Sequence, residues 1–153
     1  MTGRLSAIRR IAPELVTSAE LVIDTNGEGL TEFTREAADF VAQSGAGDGI
    51  LMLYLRHTSA SLTIQENADP DVQADLVTAL RRLAPADGPW VHAVEGPDDM
   101  PAHIKSMLNG VALHVPVQGG ALALGTWQGL YVVEHRARPH RRAVLLQFIG
   151  SKA

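Results

Sequence analysis

The run ILMLYL at residues 50–55 decides how this chain folds, and AVLLQFI at residues 143–149 repeats its character. Both are apolar at odd and even positions alike. A strand with one wet face alternates, whereas a strand buried on both faces does not. Neither run approaches the ~20 apolar residues that a membrane helix needs. They read as central strands of a sheet. Outward from them, residues 111–117, 121–124 and 130–133 read as further strands, and Leu62-Thr63-Ile64 continues the extended chain after a kink at residues 57–59. Toward the start, Leu5, Ala7, Ile8 and Ile11, then Leu21, Val22 and Ile23, read as two strands with a turn between them.

Helical spacing appears in three places. Thr31 is placed to cap a helix through about Gln43, with Phe33, Ala37, Phe40 and Val41 on one face and Gly45 ending it. Asp69-Pro70 is a start signal, a capping carboxylate followed by a preset φ. The apolar face Val72, Leu76, Leu80 and Leu83 follows. A short helix begins near Pro101 and stops at Gly110. This order predicts one α/β domain over residues 1–153, a compact sandwich with a mixed sheet and helices packed mainly on one face. The opposite sheet face then needs a cover, and a homo-oligomer would supply it.

Composition removes several classes of function. The chain has 153 residues, 46% hydrophobic and 20% charged, enough for a real core. Its net charge of −4 and the lack of a basic stripe argue against nucleic acid and anionic membranes as partners. With no cysteine there is no disulfide, thiolate metal site or thiol nucleophile. The basic start, MTGRLSAIRRIAPEL, lacks the apolar core of a signal peptide, so the expected location is cytoplasmic. The sequence contains no GxxxxGKS/T loop, GxSxG elbow or HExxH pair.

The polar residues that remain gather in three segments: HTSASLTIQENADPDVQADL (57–76), EGPDDMPAHIK (95–105) and GTWQGLYVVEHR (125–136). His57-Thr58-Ser59 follows a buried strand, where binding groups often project from an α/β sheet. Its imidazole is a candidate acid, base or ligand, although a polar strand-end turn is the plainer reading. Asn67 is a loop amide able to orient a ligand. Asp98 and Asp99 repel one another unless a cation or donors compensate. His103 lies in the first turn of the short helix, where exposed N–H groups attract anions, and Lys105 adds charge. Thr126, Trp127 and Gln128 sit between glycines. The indole offers a stacking face and the amide a hydrogen-bonding edge, though an isolated Trp is more often core.

Taken together and in this order, HTSASLT, EN-DP, EGPDDMPAHIK and GTWQG-Y--EHR resemble the YjbQ family of small proteins. The resemblance covers nearly the whole chain. It implies a compact α/β sandwich assembling as a homotrimer, with the matched residues in a polar pocket near subunit boundaries. It also implies an activity of thiamine-phosphate synthase type, joining hydroxymethylpyrimidine diphosphate to thiazole phosphate with release of diphosphate. On that reading His57, Asp99 and His103 are catalytic, and Ser59, Asn67, Lys105, Thr126, Trp127 and Gln128 bind substrate. A divalent cation, Mg or Zn, assists, with His57, His103 and His135 as its candidate ligands. The family's pattern carries an Arg where this chain has Ala121, which would remove one phosphate anchor. Two alternatives stand beside it: another metal-assisted enzyme acting on a phosphorylated or carboxylated small metabolite, and a non-catalytic small-molecule binder.

Overall fold

The computed structural model describes residues 3–153. Strand β1 (Leu15–Asp24) is followed by β2 (Gly29–Glu32), α1 (Thr34–Gln43), β3 (Ala46–Leu55) and β4 (Ala60–Glu66). Then come α2 (Pro70–Leu83), α3 (Asp99–Asn109), β5 (Ala112–Gln118), β6 (Ala121–Leu122), β7 (Gln128–Glu134) and β8 (Arg141–Lys152). Two sheets result, one ordered β1-β8-β3-β5-β6 and one ordered β2-β7-β4.

The apolar runs at residues 50–55 and 143–149 lie side by side. Ile50 pairs with Ile149, Met52 with Gln147 and Tyr54 with Leu145, in antiparallel register. Every pairing in both sheets is antiparallel, so the expected mixed sheet is corrected to two antiparallel ones. The kink at residues 57–59 carries the chain from the large sheet to the small one: β3 ends at Leu55 and β4 begins at Ala60 in the other sheet.

The core lies between the sheets. Leu51, Leu53 and Leu55 of β3 and Val144, Leu146 and Phe148 of β8 meet Leu62 of β4 and Leu130 and Val132 of β7. Ala37 and Val41 of α1 join this cluster. β7 is buried on both faces. Leu130, Val132 and Glu134 face the large sheet, while Tyr131, Val133 and His135 face α2 and α3, where Gln73 donates to the Tyr131 hydroxyl at 3.4 Å. Helices α2 and α3 thus cover the outer face of the small sheet. The outer face of the large sheet stays open, with Val16, Val22, Ile50 and Tyr54 exposed.

Two sequence expectations give way to tertiary contacts. Thr31 lies in β2 opposite Val132 and caps nothing. The helix begins three residues later, where Phe33 is buried and the Thr34 hydroxyl accepts the Leu130 amide at 2.9 Å. The apolar residues Leu5, Ile8 and Ile11 are exposed and form no strand, because β1 begins only at Leu15, along the β8 edge. Asp69 does cap α2, its carboxylate accepting the Asp71 amide at 2.9 Å. Leu83 departs from the expected apolar face and is exposed.

At one end of the core a charged pair bridges the sheets. Glu134 is fully buried and accepts from the Arg142 guanidinium, from the Thr25 hydroxyl at 2.8 Å and from the His135 amide at 3.1 Å. Arg142 also donates to the Ser59 hydroxyl at 3.0 Å. Such a pair is affordable only when its remaining hydrogen-bonding capacity is met, as it is here.

Candidate metal centre and adjoining pocket

Asp99 and His103 are four residues apart on α3, so they project from one helical face. The loop before α3 brings His92 onto the same point. Its Nε2 lies 2.6 Å from Asp99 Oδ2, and His103 Nε2 lies 3.2 Å from that same oxygen. The three ligand atoms fall within 4.8 Å of one another. Asp99 is 2% exposed, whereas the two imidazoles reach solvent, so the point is open on one side.

Each member is oriented by a partner behind it. His103 Nδ1 faces the Thr58 carbonyl at 2.8 Å, and a carbonyl only accepts. Nδ1 therefore carries a proton, and Nε2 is the ring nitrogen turned toward Asp99. Two acceptors facing each other at 3.2 Å require an imidazolium proton or a cation between them. Arg136 meets the other carboxylate oxygen, donating from Nη1 to Asp99 Oδ1 at 2.8 Å. Its Nε donates to Asp98 Oδ2 at 3.0 Å and its Nη2 to the Glu95 carbonyl at 2.8 Å. Burial pushes the Asp99 carboxyl up. The His92 hydrogen bond and the charges of His103 and Arg136 outweigh it and hold the group below the usual carboxylate range. Asp98 is similar: burial raises it, but the Ala137 amide and Arg136 bring it down. Asp98 is thereby committed to fixing the loop.

The other expected site residues divide by position. His57 lies between β3 and β4, with its Nε2 accepting the Ala143 amide at 2.9 Å. His135 is buried behind β7, its Nε2 2.8 Å from Ser61 Oγ. His57, His103 and His135 therefore form no common ligand group among the described residues; His103 groups with His92 and Asp99 instead. Ser59 is tied to Arg142. Lys105 is buried, 3.4 Å from Glu28 Oε2. Asn67, Thr126, Trp127 and Gln128 are exposed at the far end of the small sheet, where the Asn67 amide donates to the Trp127 carbonyl at 3.0 Å. Ala60 pairs with Glu134 and Glu66 with Gln128, so the length of β4, roughly 20 Å, separates this group from His57 and Ser59. One chain does not gather all the expected residues into one pocket. Ala121 is exposed in the short β6.

The sequence reading placed neither His92 nor Arg136 among the catalytic residues or metal ligands. The i, i+4 spacing of Asp99 and His103 was the available signal for a ligand pair. Nothing local in the sequence marks His92 or Arg136, which reach the site from a loop and from the end of β7.

The geometry defines a small antiparallel α/β sandwich with a histidine–carboxylate cluster at the start of α3, and comparison with known proteins gives its family. The family model described as UPF0047 protein YjbQ-like matches residues 19–151, and the chain belongs to that family. A UPF0047 protein of Synechocystis is 49% identical over 131 residues, which is 85% of this chain and 89% of that one. UPF0047 protein YjbQ of Escherichia coli O157:H7 is 45% identical over 102 residues, 67% of this chain and 74% of that one. A YjbQ/UPF0047-family crystal structure from Clostridium acetobutylicum superposes with a TM-score of 0.80 at 36% identity, covering 85% of this chain and 98% of that one. A YjbQ-like protein from Sulfolobus solfataricus, described as of unknown function, shares the fold with a TM-score of 0.83 at 22% identity, covering 90% of this chain and 99% of that one.

These relatives overturn the thiamine-phosphate synthase expectation. They are named by family alone, one is described as of unknown function, and none is named for that activity. The resemblance was sound as to family and wrong as to reaction. Among the described residues, no helix is long and apolar enough to cross a membrane.

Proposed function

We propose that this protein is a metal-dependent enzyme acting on a small anionic metabolite, with His92, Asp99 and His103 as the ligands of a divalent cation. The observation that carries this reading is the convergence of two imidazole Nε2 atoms on one carboxylate oxygen whose partner oxygen is already held by Arg136. Two imidazoles and one carboxylate suit zinc; magnesium prefers an all-oxygen shell. Three protein ligands leave a coordination position for solvent or substrate. The Thr58 carbonyl behind His103 and the Arg136 guanidinium behind Asp99 are the kind of outer partners that orient metal ligands. A cation held this way supplies a Lewis acid for a phosphoryl or carboxyl oxygen.

The test is zinc binding by protein stripped with a chelator, followed by competition with a chromophoric chelator. One equivalent per chain is expected, with Asp99→Asn and His103→Ala each weakening it at least tenfold. Binding that ignores both substitutions, or no binding, removes the proposal. Chelator-sensitive, zinc-restored hydrolysis of a chromogenic phosphomonoester would extend it to catalysis.

A separate observation favours self-association. Val16, Val22, Ile50 and Tyr54 leave an apolar sheet face exposed, and a contiguous apolar face is a mark of an interface. We propose that further copies of the chain cover it, in the trimer that the family resemblance implies. Sedimentation equilibrium should return a trimer mass, and Ile50→Glu should lower it; a monomer for the unaltered protein refutes this assignment.

A further inference from the structure

A pocket of about 480 Å³ lies between the end of β3 and the last turns of α3, and His103 belongs to its wall. Its lining mixes polar and apolar side chains. Arg56, His57 and Thr58 follow one another along one rim, all of them donors. Tyr54, Met107 and Val111 supply apolar lining. None of the residues lining this pocket is an acid.

The state of His57 is fixed by the backbone. Its Nε2 accepts the Ala143 N–H at 2.9 Å, so Nε2 carries no proton and the ring's proton is on Nδ1. Burial, followed by the charge of Arg142, lowers its pKa and keeps the ring neutral. His57 is therefore a hydrogen-bond donor through Nδ1 and has no free base nitrogen to offer. Arg56 is half-exposed and paired with Glu20 across the sheet surface. Surface pairs of this kind are worth little. The apolar wall also needs a reason. Met107 is 79% exposed, although it sits beside a concave site. Wide apolar exposure next to convergent donors is the usual form of a small-molecule site.

We infer that this pocket binds an organic oxyanion with an apolar body, its phosphate or carboxylate on Arg56, His57 Nδ1–H and Thr58 and its carbon skeleton against Tyr54, Met107 and Val111. The inference builds on the metal reading, since it names the class of metabolite that would approach the cation past His103. It stands on its own geometry for the binding step.

Calorimetry on the full chain in its native assembly tests it, first stripped of metal and then loaded with zinc. Phenyl phosphate and phenylacetate are the oxyanion probes, with inorganic phosphate and benzyl alcohol as controls. At least one of the two aromatic anions should bind the stripped protein at least tenfold more tightly than either control. Arg56→Gln and Met107→Ser should each weaken that binding at least fivefold while leaving zinc affinity unchanged. Equal binding of inorganic phosphate would remove the apolar wall from the argument, and equal binding of benzyl alcohol the donor rim; either result overturns the inference. So does silence from every probe, in the stripped and the loaded protein alike. If zinc binding fails while an aromatic anion still binds, the metal reading falls and this one stands.

Discussion

Acid titration examines the buried layer between the small sheet and α3. His135 is 1% exposed and its Nε2 lies 2.8 Å from Ser61 Oγ. Asn109 already donates to that oxygen at 3.0 Å, which frees the Ser61 proton for His135. A protonated ring would turn a satisfied acceptor into a second donor. Burial first, then the charges of Lys105 and Arg142, lower the pKa to about 3 from the ordinary 6.5. The sign follows from linkage. The folded form stays neutral while the unfolded chain takes up a proton below pH 6.5, so this stabilisation is complete above 6.5 and is lost progressively down to about pH 3. One proton corresponds to ~1.4 kcal/mol per pH unit, which accumulates to roughly 2–3 kcal/mol between pH 7 and 4.5. Urea unfolding at half-unit pH steps, with chelator present throughout, measures it. Below about pH 4.5 the depressed carboxyls of Asp98 and Asp99 add losses of the same sign, so the window stops there. In His135→Gln an uncharged acceptor replaces the ring, and its stability should fall less steeply by nearly one proton. Its absolute stability is immaterial, because the comparison is of slopes. Parallel curves for the two proteins would refute the buried neutral histidine.

Three further outcomes are expected. Arg136→Gln should weaken zinc binding ~10–100-fold with Asp99 and both histidines intact, since it removes the group that orients the carboxylate; unchanged affinity in the chelator competition would mean that Arg136 only closes the loop. Glu134→Gln leaves the buried Arg142 without a full counter-charge and should cost roughly 3–5 kcal/mol in urea unfolding, against less than 1 if the pair were solvated. Gly49→Ala sets a Cβ 2.2 Å from the Ile149 carbonyl oxygen, where β3 and β8 approach, and should cost at least ~1–3 kcal/mol; an unchanged melting temperature would show that the bulge region there gives way freely.

The elements written in local chemistry were legible in the sequence. Asp69-Pro70 starts α2 because a capping oxygen and a preset φ are properties of those two residues alone. Gly110 ends α3 at φ 86°, where a side chain is strained. The doubly apolar runs were legible as strands, and they sit centrally in the large sheet, but of residues 50–55 in β3 only Leu51, Leu53 and Leu55 are buried, while Ile50 and Tyr54 on the other face are exposed. What failed depended on contacts distant in sequence. Thr31 has every local property of a cap but pairs with Val132, about a hundred positions away, and the pairing wins. The expectation of a mixed sheet failed for the same reason, since strand direction is a relation between strands. At the site, Asp99 and His103 were named because their segment is dense in polar groups. His92 was not placed among the metal ligands because it has no helical neighbour to be spaced against.

The two polar networks of this protein are linked through the register of β7. Along that strand Leu130, Val132 and Glu134 point to the large sheet and Tyr131, Val133 and His135 to the helices. A slip of one residue would exchange the two sets. Apolar residues alone would resist this weakly, because Val132 and Val133 are the same side chain. Glu134 is what distinguishes the faces: only one register sets its carboxylate against Arg142 and Thr25 in the core, with Ser61 left beside His135 on the helical side. Arg136, two residues beyond, leaves the sheet with its position already fixed, and from there its three nitrogens reach Asp98, Asp99 and the Glu95 carbonyl. The ion pair in the core and the carboxylate at the candidate metal centre are therefore held by one strand. That is a physical reason for the chain to keep a charge buried where a hydrocarbon would fit.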